Sequence, residues 1–339
     1  MIRDNAVLVA IDSITFLTTK EKILLTELID SLEIFRALTI VDLESIIMRP
    51  VRGKQFDPVK LMAQAENTAH AVGVKQISII YYWDSRYPPQ LREIWDPPYL
   101  LYSRGTIPDY NRPMVGVVGT RFPSGKALKA AFHTGLELGF QDIAVVSGLA
   151  KGIDSAAHKG NSSGGGRTVA VLGCGIDRIY PREHKNLAVE IISKGGLILS
   201  EYPPGVPPLK YNFPARNRII SGMSRSVVII QAPEKSGALI TADYALEQGR
   251  DLFVHADGLA GKAGAGTSSL AEDGACVIEG ADDIFKDWGW KRIAREVPAG
   301  NRTIKNSVSL VPGLKIAKLL EEELAGKLYK HHGEYFRRG

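Results

Sequence analysis

Residues 210–218 carry the side chains best suited to contacting a polyanion. Three cations, two aromatic rings and two asparagines fall within this basic segment, Lys210-Tyr211-Asn212-Phe213-Pro214-Ala215-Arg216-Asn217-Arg218. Proteins that bind single-stranded nucleic acid place cations on phosphates and aromatic faces on bases, and one stacked base contributes roughly 1–3 kcal/mol. The composition of the basic segment is therefore typical of a single-strand binding site.

The basic segment also has structural explanations. Phe213 precedes a proline, so an extended backbone is expected there, and its ring could face either a ligand or the core. Arg216 and Arg218 are two positions apart, so their side chains should diverge, and one of them could be structural. The candidate ligand contacts in this segment are Lys210, Phe213, Arg216, Asn217 and Arg218.

A first loop, residues 119–126, follows an apolar strand and opens a helix. Amide groups at a helix start attract anions, so phosphate contacts are expected here, although its arginine could also be simply solvated. Five residues separate Gly119 from Gly125, where a nucleotide P-loop has four, and Ala127 stands where a hydroxyl would hold magnesium; these departures exclude an ATPase. The candidates in this loop are Gly119, Thr120, Arg121 and Ser124.

A second loop, residues 147–154, has the same position between a strand and a helix. Its candidate phosphate contacts are Ser147, Gly148 and Gly152, because glycines let the backbone approach a phosphate closely. A tight turn that leads into a capped helix would explain this loop equally well.

Two further turns complete the set. The third loop, residues 173–177, lacks the last glycine of a dinucleotide fingerprint because Arg178 occupies that position, which disfavours NAD. The turn at Ser236 and Gly237, with Thr241 one turn later, could bind an anion, but Ser236 would serve almost equally well as a helix N-cap.

Short apolar runs alternate with helical stretches from about residue 75, and this alternation predicts how the turns are brought together. It indicates an α/β, extended Rossmann-like fold, with a mainly parallel sheet and helices on both faces. Ligands of such sheets bind at the carboxyl ends of the strands, where most of these glycines lie. The predicted strands are 77–82, 99–102, 114–118, 143–146, 169–172, 197–199, 227–230, 252–255 and 276–278.

The pattern divides the chain into three regions. Residues 1–74 read as a small helical module, in which Asp57 and Pro58 mark a helix start. Residues 75–290 form the Rossmann-like domain. Residues 291–339 read as a short C-terminal helical tail with an amphipathic helix at 316–328, too short for a complete winged helix.

The net charge, the cysteines and the absence of long apolar segments limit the classes of protein to which this chain can belong. The formal net charge is +5, which suits a polyanionic partner without proving one. The two cysteines lie far apart and form no CxxC pair, so neither a zinc site nor a disulfide framework is expected. We predict no metal and no cofactor. No signal pattern and no apolar run of membrane-spanning length occur, which favours a cytoplasmic protein without a membrane partner.

In this order the motifs resemble the DNA processing A (DprA/Smf) family over roughly residues 80–280. No single motif is specific, but six or more in the right order are. The matching stretches are Gly119-Thr120-Arg121, residues 147–154, 172–177 with Tyr180-Pro181, Ser200-Glu201 with Pro204-Gly205, 213–222, 236–242, Gly249-Arg250 and Gly266-Thr267.

The resemblance implies a single-stranded-DNA-binding protein with little sequence preference. Such a protein shields incoming strands during natural transformation in competent cells, helps load the RecA recombinase for recombination, and has no catalytic turnover. The family motifs place DNA contacts at Arg121, Lys210 and Phe213 of this chain. They also imply a homodimer formed through the later part of the domain.

The chain departs from the family pattern in that later part. Ala238 replaces a serine, residues 255–257 replace Val-Pro-Gly, and Ser268 replaces an asparagine. These departures put the dimer surface and one rim loop in question more than DNA binding.

The alternative is a nucleotide-binding or nucleotide-hydrolysing enzyme on a related Rossmann-like fold, such as a nucleoside-monophosphate phosphoribohydrolase. That class should show Pro-Gly-Gly-x-Gly-Thr followed by a glutamate, and residues 264–267 are a poor substitute for it.

Overall fold

Nine short apolar segments form one sheet, and most of their side chains are buried on both faces. Every residue of Met114–Val118 is buried, as expected for a strand covered by helices on each side. The strands are β1 (Ser78–Tyr81), β2 (Leu100–Gly105), β3 (Met114–Val118), β4 (Ala144–Ser147), β5 (Val169–Leu172), β6 (Leu197–Ser200), β7 (Ser226–Ile229), β8 (Asp251–His255) and β9 (Cys276–Ile278).

The sheet order is β1-β2-β6-β5-β4-β3-β7-β8-β9. All neighbouring strands from β6 to β9 are parallel, whereas β2 is antiparallel to both β1 and β6. Strand β3 lies between β4 and β7, so the chain order of the strands reverses at β3. This arrangement confirms the predicted Rossmann-like fold and its mainly parallel sheet.

The structure is a computed structural model that describes residues 4–291 and the backbone of residues 328–331 and 334–337. None of its described helices is both long enough and apolar enough to cross a membrane. The helices that follow the strands are α6 (Gly125–Phe140), α7 (Ile153–Ser163), α8 (Lys185–Ser193), α9 (Asn212–Gly222), α10 (Gly237–Glu247), α11 (Ala265–Glu272) and α12 (Ala281–Asp287).

Helices α6 and α7 touch through their backbones. A Cβ atom placed on Gly135 or Gly139 of α6 would collide with a carbonyl oxygen of α7, and one on Gly160 of α7 would collide with a carbonyl oxygen of α6. Gly164, at the end of α7, faces α6 in the same way. Because close-packed backbones leave no room for sliding, these two helices form one rigid pair.

The N-terminal region is helical, as predicted. Its helices are α1 (Asn5–Asp12), α2 (Thr19–Leu28), α3 (Leu32–Ala37), α4 (Ile40–Ile47) and α5 (Pro58–Val74). Asp57 caps α5 by accepting a hydrogen bond of 2.9 Å from the Lys60 amide. The apolar side of α1 packs in one continuous core with Tyr99, just before β2, and with Tyr102 of β2, so this region rests directly on one sheet face.

Two local predictions are wrong. Phe213 is not extended but lies in the first turn of α9, where Pro214 is tolerated because the amide it lacks would have no helical partner. Residues 328–331 and 334–337 are not helical but form two antiparallel strands, β10 (Leu328–His331) and β11 (Glu334–Arg337). Residues 316–327 of the predicted tail helix lie outside the described residues.

Candidate nucleic-acid interface

An open cleft lies at the carboxyl ends of β3 and β7, where the strand order reverses. Ligands of parallel sheets bind at this position because loops there diverge to either side and leave a crevice. The cleft has a volume of about 630 Å³. Its walls are the first loop, the start of α9, and the turn before α10; they include Gly119, Thr120, Arg121, Phe122, Tyr180, Lys210, Phe213, Lys235, Ser236, Gly237 and Thr241.

The backbone of the first loop is fixed to the end of β7. The Thr120 amide donates to the Gln231 carbonyl at 2.7 Å, and the Ser124 amide donates to the Gln231 side-chain oxygen at 2.8 Å. The Ser124 hydroxyl accepts a hydrogen bond from the Ala127 amide and caps α6. These amides are therefore used within the protein, and the loop offers a ligand its exposed Arg121 and Phe122 side chains.

Gly119 has a packing role at the edge of the cleft. A Cβ atom at this position would lie 2.6 Å from the Ile153 side chain and 2.8 Å from the Gln231 carbonyl oxygen. The glycine therefore lets the first loop approach α7 and the end of β7 closely, which sets the position of Arg121.

The Phe213 ring contacts both an arginine and a second aromatic ring in the cleft. The Arg121 guanidinium carbon lies 5.8 Å from the centroid of the Phe213 ring, within the range of a cation–π contact. The Tyr180 ring is tilted against Phe213 with centroids 5.5 Å apart. A Cβ atom on Gly173 of the third loop would lie 2.7 Å from Phe213, so the glycine leaves the space that this ring fills.

Three exposed cations surround these rings: Arg121, Lys210 and Lys235. In the part of the chain that the structure describes, none of the three is in an ion pair. Their charges are therefore available to phosphates. The structure brings the predicted contacts Arg121, Lys210 and Phe213 together in this one cleft.

Sequence reasoning missed three aromatic or cationic side chains of the lining, namely Phe122, Tyr180 and Lys235. Each is adjacent to or near a motif that was recognised, within or just beyond a loop at a strand end. The rule that strand ends share one edge of the sheet could have found them, had it been applied to every exposed side chain on those loops.

The second loop is closed by an acid of its own helix. The Asp154 carboxylate accepts hydrogen bonds from the Gly148 amide at 3.0 Å and the Ala150 amide at 3.3 Å. The Ser147 hydroxyl donates to the buried Val117 carbonyl at 2.6 Å. The predicted phosphate contacts at Ser147 and Gly148 are thus buried groups with internal partners, because Asp154 occupies the place where an anion would bind.

Arg216 supplies the counter-charge for Asp154. Its guanidinium is buried and donates to the carbonyl oxygens of Gly148, at 3.0 Å, and of Val171. Burial raises the pKa of Asp154, and the charge of Arg216 with the two loop amides opposes that rise. Burial lowers the pKa of Arg216, and Asp154 opposes that shift in turn. Although Arg216 borders the cleft, its Nε and Nη1 groups donate within the protein, to Asn217 and to these two carbonyls.

Arg218 is likewise an internal cation. Its guanidinium donates to both carboxylate oxygens of Glu201, at 2.6 and 2.9 Å, and to Asp96 at 3.2 Å. Burial lowers its pKa, but the two carboxylates outweigh this and hold the pKa above the usual arginine value. Arg218 therefore holds α9 against β6 and the 93–98 segment, and its charge is already neutralised.

The remaining candidates shape the turn before α10. The Asn217 side chain donates to the Gly237 carbonyl at 3.0 Å, and the Ser236 hydroxyl accepts from the Ala238 amide at 3.2 Å as the N-cap of α10. Thr241 lines the cleft but is almost fully buried. Gly152, with a φ of 75°, adopts a backbone conformation that favours glycine and precedes α7.

The region that carries the cleft matches a known family. The model of the family described as DNA recombination-mediator protein A matches residues 78–289. The DNA processing protein DprA of Streptococcus pneumoniae is 41% identical over 207 residues, which is 60% of this chain and 72% of that protein. Protein Smf of Borreliella burgdorferi is 32% identical over 279 residues, 82% of this chain and 87% of its own.

Two solved structures are similar as well. The X-ray structure of DprA from Streptococcus pneumoniae has a TM-score of 0.69 at 33% identity, and the match covers 85% of this chain and 99% of that one. A structure that reports on the single-stranded DNA binding mode of DNA processing protein A from Helicobacter pylori has a TM-score of 0.54 at 31% identity, covering 63% and 95%.

Proposed function

We propose, starting from the fact that this chain belongs to the DNA recombination-mediator protein A family, that its cleft binds single-stranded DNA. The observation that carries the proposal is the set of three unpaired, exposed cations around a group of aromatic rings. Cations attract phosphates of any sequence, and aromatic faces accept any base, so the cleft suits strand binding without sequence readout.

The cleft favours a single strand over a duplex for a steric reason. Bases of a duplex are stacked and paired, and their faces cannot reach Phe122, Tyr180 or Phe213 unless the duplex opens. An unpaired strand can place its phosphates near Arg121, Lys210 and Lys235 while its bases turn toward the rings.

Binding without turnover is the role that the local chemistry supports. His184, the histidine nearest the third loop in sequence, has its Nδ1 atom 2.8 Å from the Leu149 carbonyl, so this nitrogen is engaged within the protein. The Thr267 hydroxyl, in the segment compared with a hydrolase motif, accepts a hydrogen bond of 2.7 Å from the buried Ala232 amide. That segment supports the loop after β7 instead of facing a nucleotide.

Partners follow from the same proposal. A recombination mediator shields the strand and hands it to the RecA recombinase, which would place this protein in the cytoplasm. A homodimer through the later part of the domain would cover exposed apolar side chains such as Leu246 on α10 and Val277 on the edge strand β9. The substitutions at 238, 255–257 and 268 lie in this part of the chain, so size measurement in solution tests the dimer directly.

The test of the function is fluorescence anisotropy with a labelled single strand and with its duplex, across a series of salt concentrations. We expect tighter binding to the single strand and a slope of log K against log salt near −2, since three phosphates neutralised at about −0.7 each give that value. Hydrolysis of a nucleotide without strand binding at low salt would instead support the enzyme alternative.

A further inference from the structure

Phe122 is the most exposed aromatic side chain that lines the cleft. It is 83% exposed, whereas Tyr180 is 43% exposed. A phenylalanine ring in water leaves a large apolar area uncovered, which a stacked base would bury. Single exposed apolar residues are common on protein surfaces, so the position and rigidity of this ring must support any assignment of function.

The loop that presents Phe122 is held on both sides of the ring. The Phe122 amide donates to the Thr120 hydroxyl at 3.2 Å. The amides of Thr120 and Ser124 both donate to Gln231, one to its carbonyl and the other to its side chain. These hydrogen bonds anchor the backbone on either side of Phe122, so the ring does not stand on a loose turn.

Phe213 is less able to receive a base. The Arg121 guanidinium covers one side of its ring at 5.8 Å, the tilted Tyr180 ring contacts it at 5.5 Å, and Gly173 packs against its edge. A base that stacked on Phe213 would have to displace Arg121 or Tyr180. The same ring is well placed to support Arg121 from below.

We infer that Phe122 stacks on a base of the bound strand. The inference rests on the proposed function, because only a strand held by Arg121, Lys210 and Lys235 brings a base to this ring. Stacking on Phe122 requires no hydrogen-bond readout, so any unpaired base is accepted.

The experiment measures anisotropy with an oligothymidylate and with an oligonucleotide of the same length whose central nucleotides are abasic. We expect Phe122→Ala to weaken binding of the oligothymidylate roughly 5- to 150-fold, the range for one lost stack, without changing the salt slope. The wild type should bind the abasic oligonucleotide more weakly than the oligothymidylate. In Phe122→Ala this difference in affinity should be smaller by a similar factor. Phe122→Tyr, which keeps an aromatic face, should bind like the wild type.

Trp95→Ala is the matched control, because Trp95 is 98% exposed and lies outside the cleft lining. It should leave strand binding unchanged. The inference is overturned if Phe122→Ala binds like the wild type or if the abasic loss stays at its full wild-type size in that variant. Failure of the wild type itself to bind the oligothymidylate at low salt would reject the proposed function as well.

Discussion

The first and second loops lie at the ends of adjacent parallel strands, contain glycines, and each lead into a helix, yet they differ in what their amides and charges contact. In the second loop, Asp154 accepts the Gly148 and Ala150 amides and is balanced by Arg216, so the loop is closed on itself. The first loop carries no such acid and exposes Arg121 to the cleft. A glycine-rich loop at a strand end can thus be closed by an acid of its own helix or can expose a cation to a ligand, and the glycines alone do not show which.

The same contrast divides the basic segment. Lys210 is exposed at the cleft, whereas Arg216 and Arg218, only six to eight positions further along, are buried and hydrogen-bonded inside the protein. Cations of one short segment therefore serve two purposes: the buried ones stabilise the fold, and only the exposed one can attract a phosphate.

Removing the acid of the closed loop should have the largest effect. Asp154→Ala leaves Arg216 buried without its counter-charge and two loop amides without an acceptor, so we expect the free energy of unfolding to fall by about 3–5 kcal/mol. Urea denaturation followed by circular dichroism measures this loss.

Glu183→Ala is the control for that variant. Glu183 is also paired, with Lys151 at 2.7 Å, but it is solvent-exposed, so its removal should leave stability unchanged. Equal stability of Asp154→Ala and wild type would show that the second loop does not depend on its internal acid.

Arg218→Ala separates stability from binding in the basic segment. It leaves Glu201 and Asp96 without their partner, and because Asp96 is largely exposed the loss should be smaller, about 1–3 kcal/mol. Below the unfolding transition the salt dependence of strand binding should match that of the wild type, since the charge of Arg218 is already paired with Glu201 and Asp96. A reduced salt slope would instead restore Arg218 as a DNA contact.

Arg121→Ala tests the open loop. Loss of one phosphate contact should weaken binding of every sequence by about 1–2 kcal/mol and lower the salt slope by about 0.7, with little change in stability. The comparison with Lys194→Ala, a lysine that directly follows α8 and lies outside the cleft, shows whether general surface charge accounts for the change. An unchanged slope in Arg121→Ala would place the strand elsewhere.

Phe213→Leu should have the smallest effect and reveals how Arg121 is held. Leucine keeps much of the volume but removes the aromatic face, so affinity should fall roughly twofold to fivefold, the worth of an exposed cation–π contact. Because the contact needs both partners, the same substitution made in Arg121→Ala should cost nothing more. Full additivity of the two losses would mean that Phe213 contacts the strand independently.

The fold was accessible from the sequence because its signals are local. The apolar run 114–118 and the Asp57-Pro58 helix start each encode one element, and both agree with the structure. The position of the cleft also followed, because carboxyl ends of parallel strands must share an edge. The start of α9 was missed because the preference of a residue before proline for extended backbone gave way to the first turn of a helix.

Hydrogen-bond partners that lie far apart in the sequence could not be predicted from it. Arg218 and Asp96 are 122 positions apart, and Arg216 and Gly148 are 68 apart, so nothing near the arginines indicates that their donors are engaged. Asp154 was visible in the second loop, but its carboxylate could have pointed to solvent. The exposure of Phe122 likewise depends on how Gln231 anchors the first loop, which is a tertiary contact.

The backbone contact between α6 and α7 bears on the entropy of binding. The first loop leads into α6 and the second into α7, and the glycines that join these helices prevent one loop from shifting without the other. The backbone of the binding surface is therefore already ordered before a ligand arrives. The conformational entropy lost on binding is mainly that of the exposed side chains and of the strand itself.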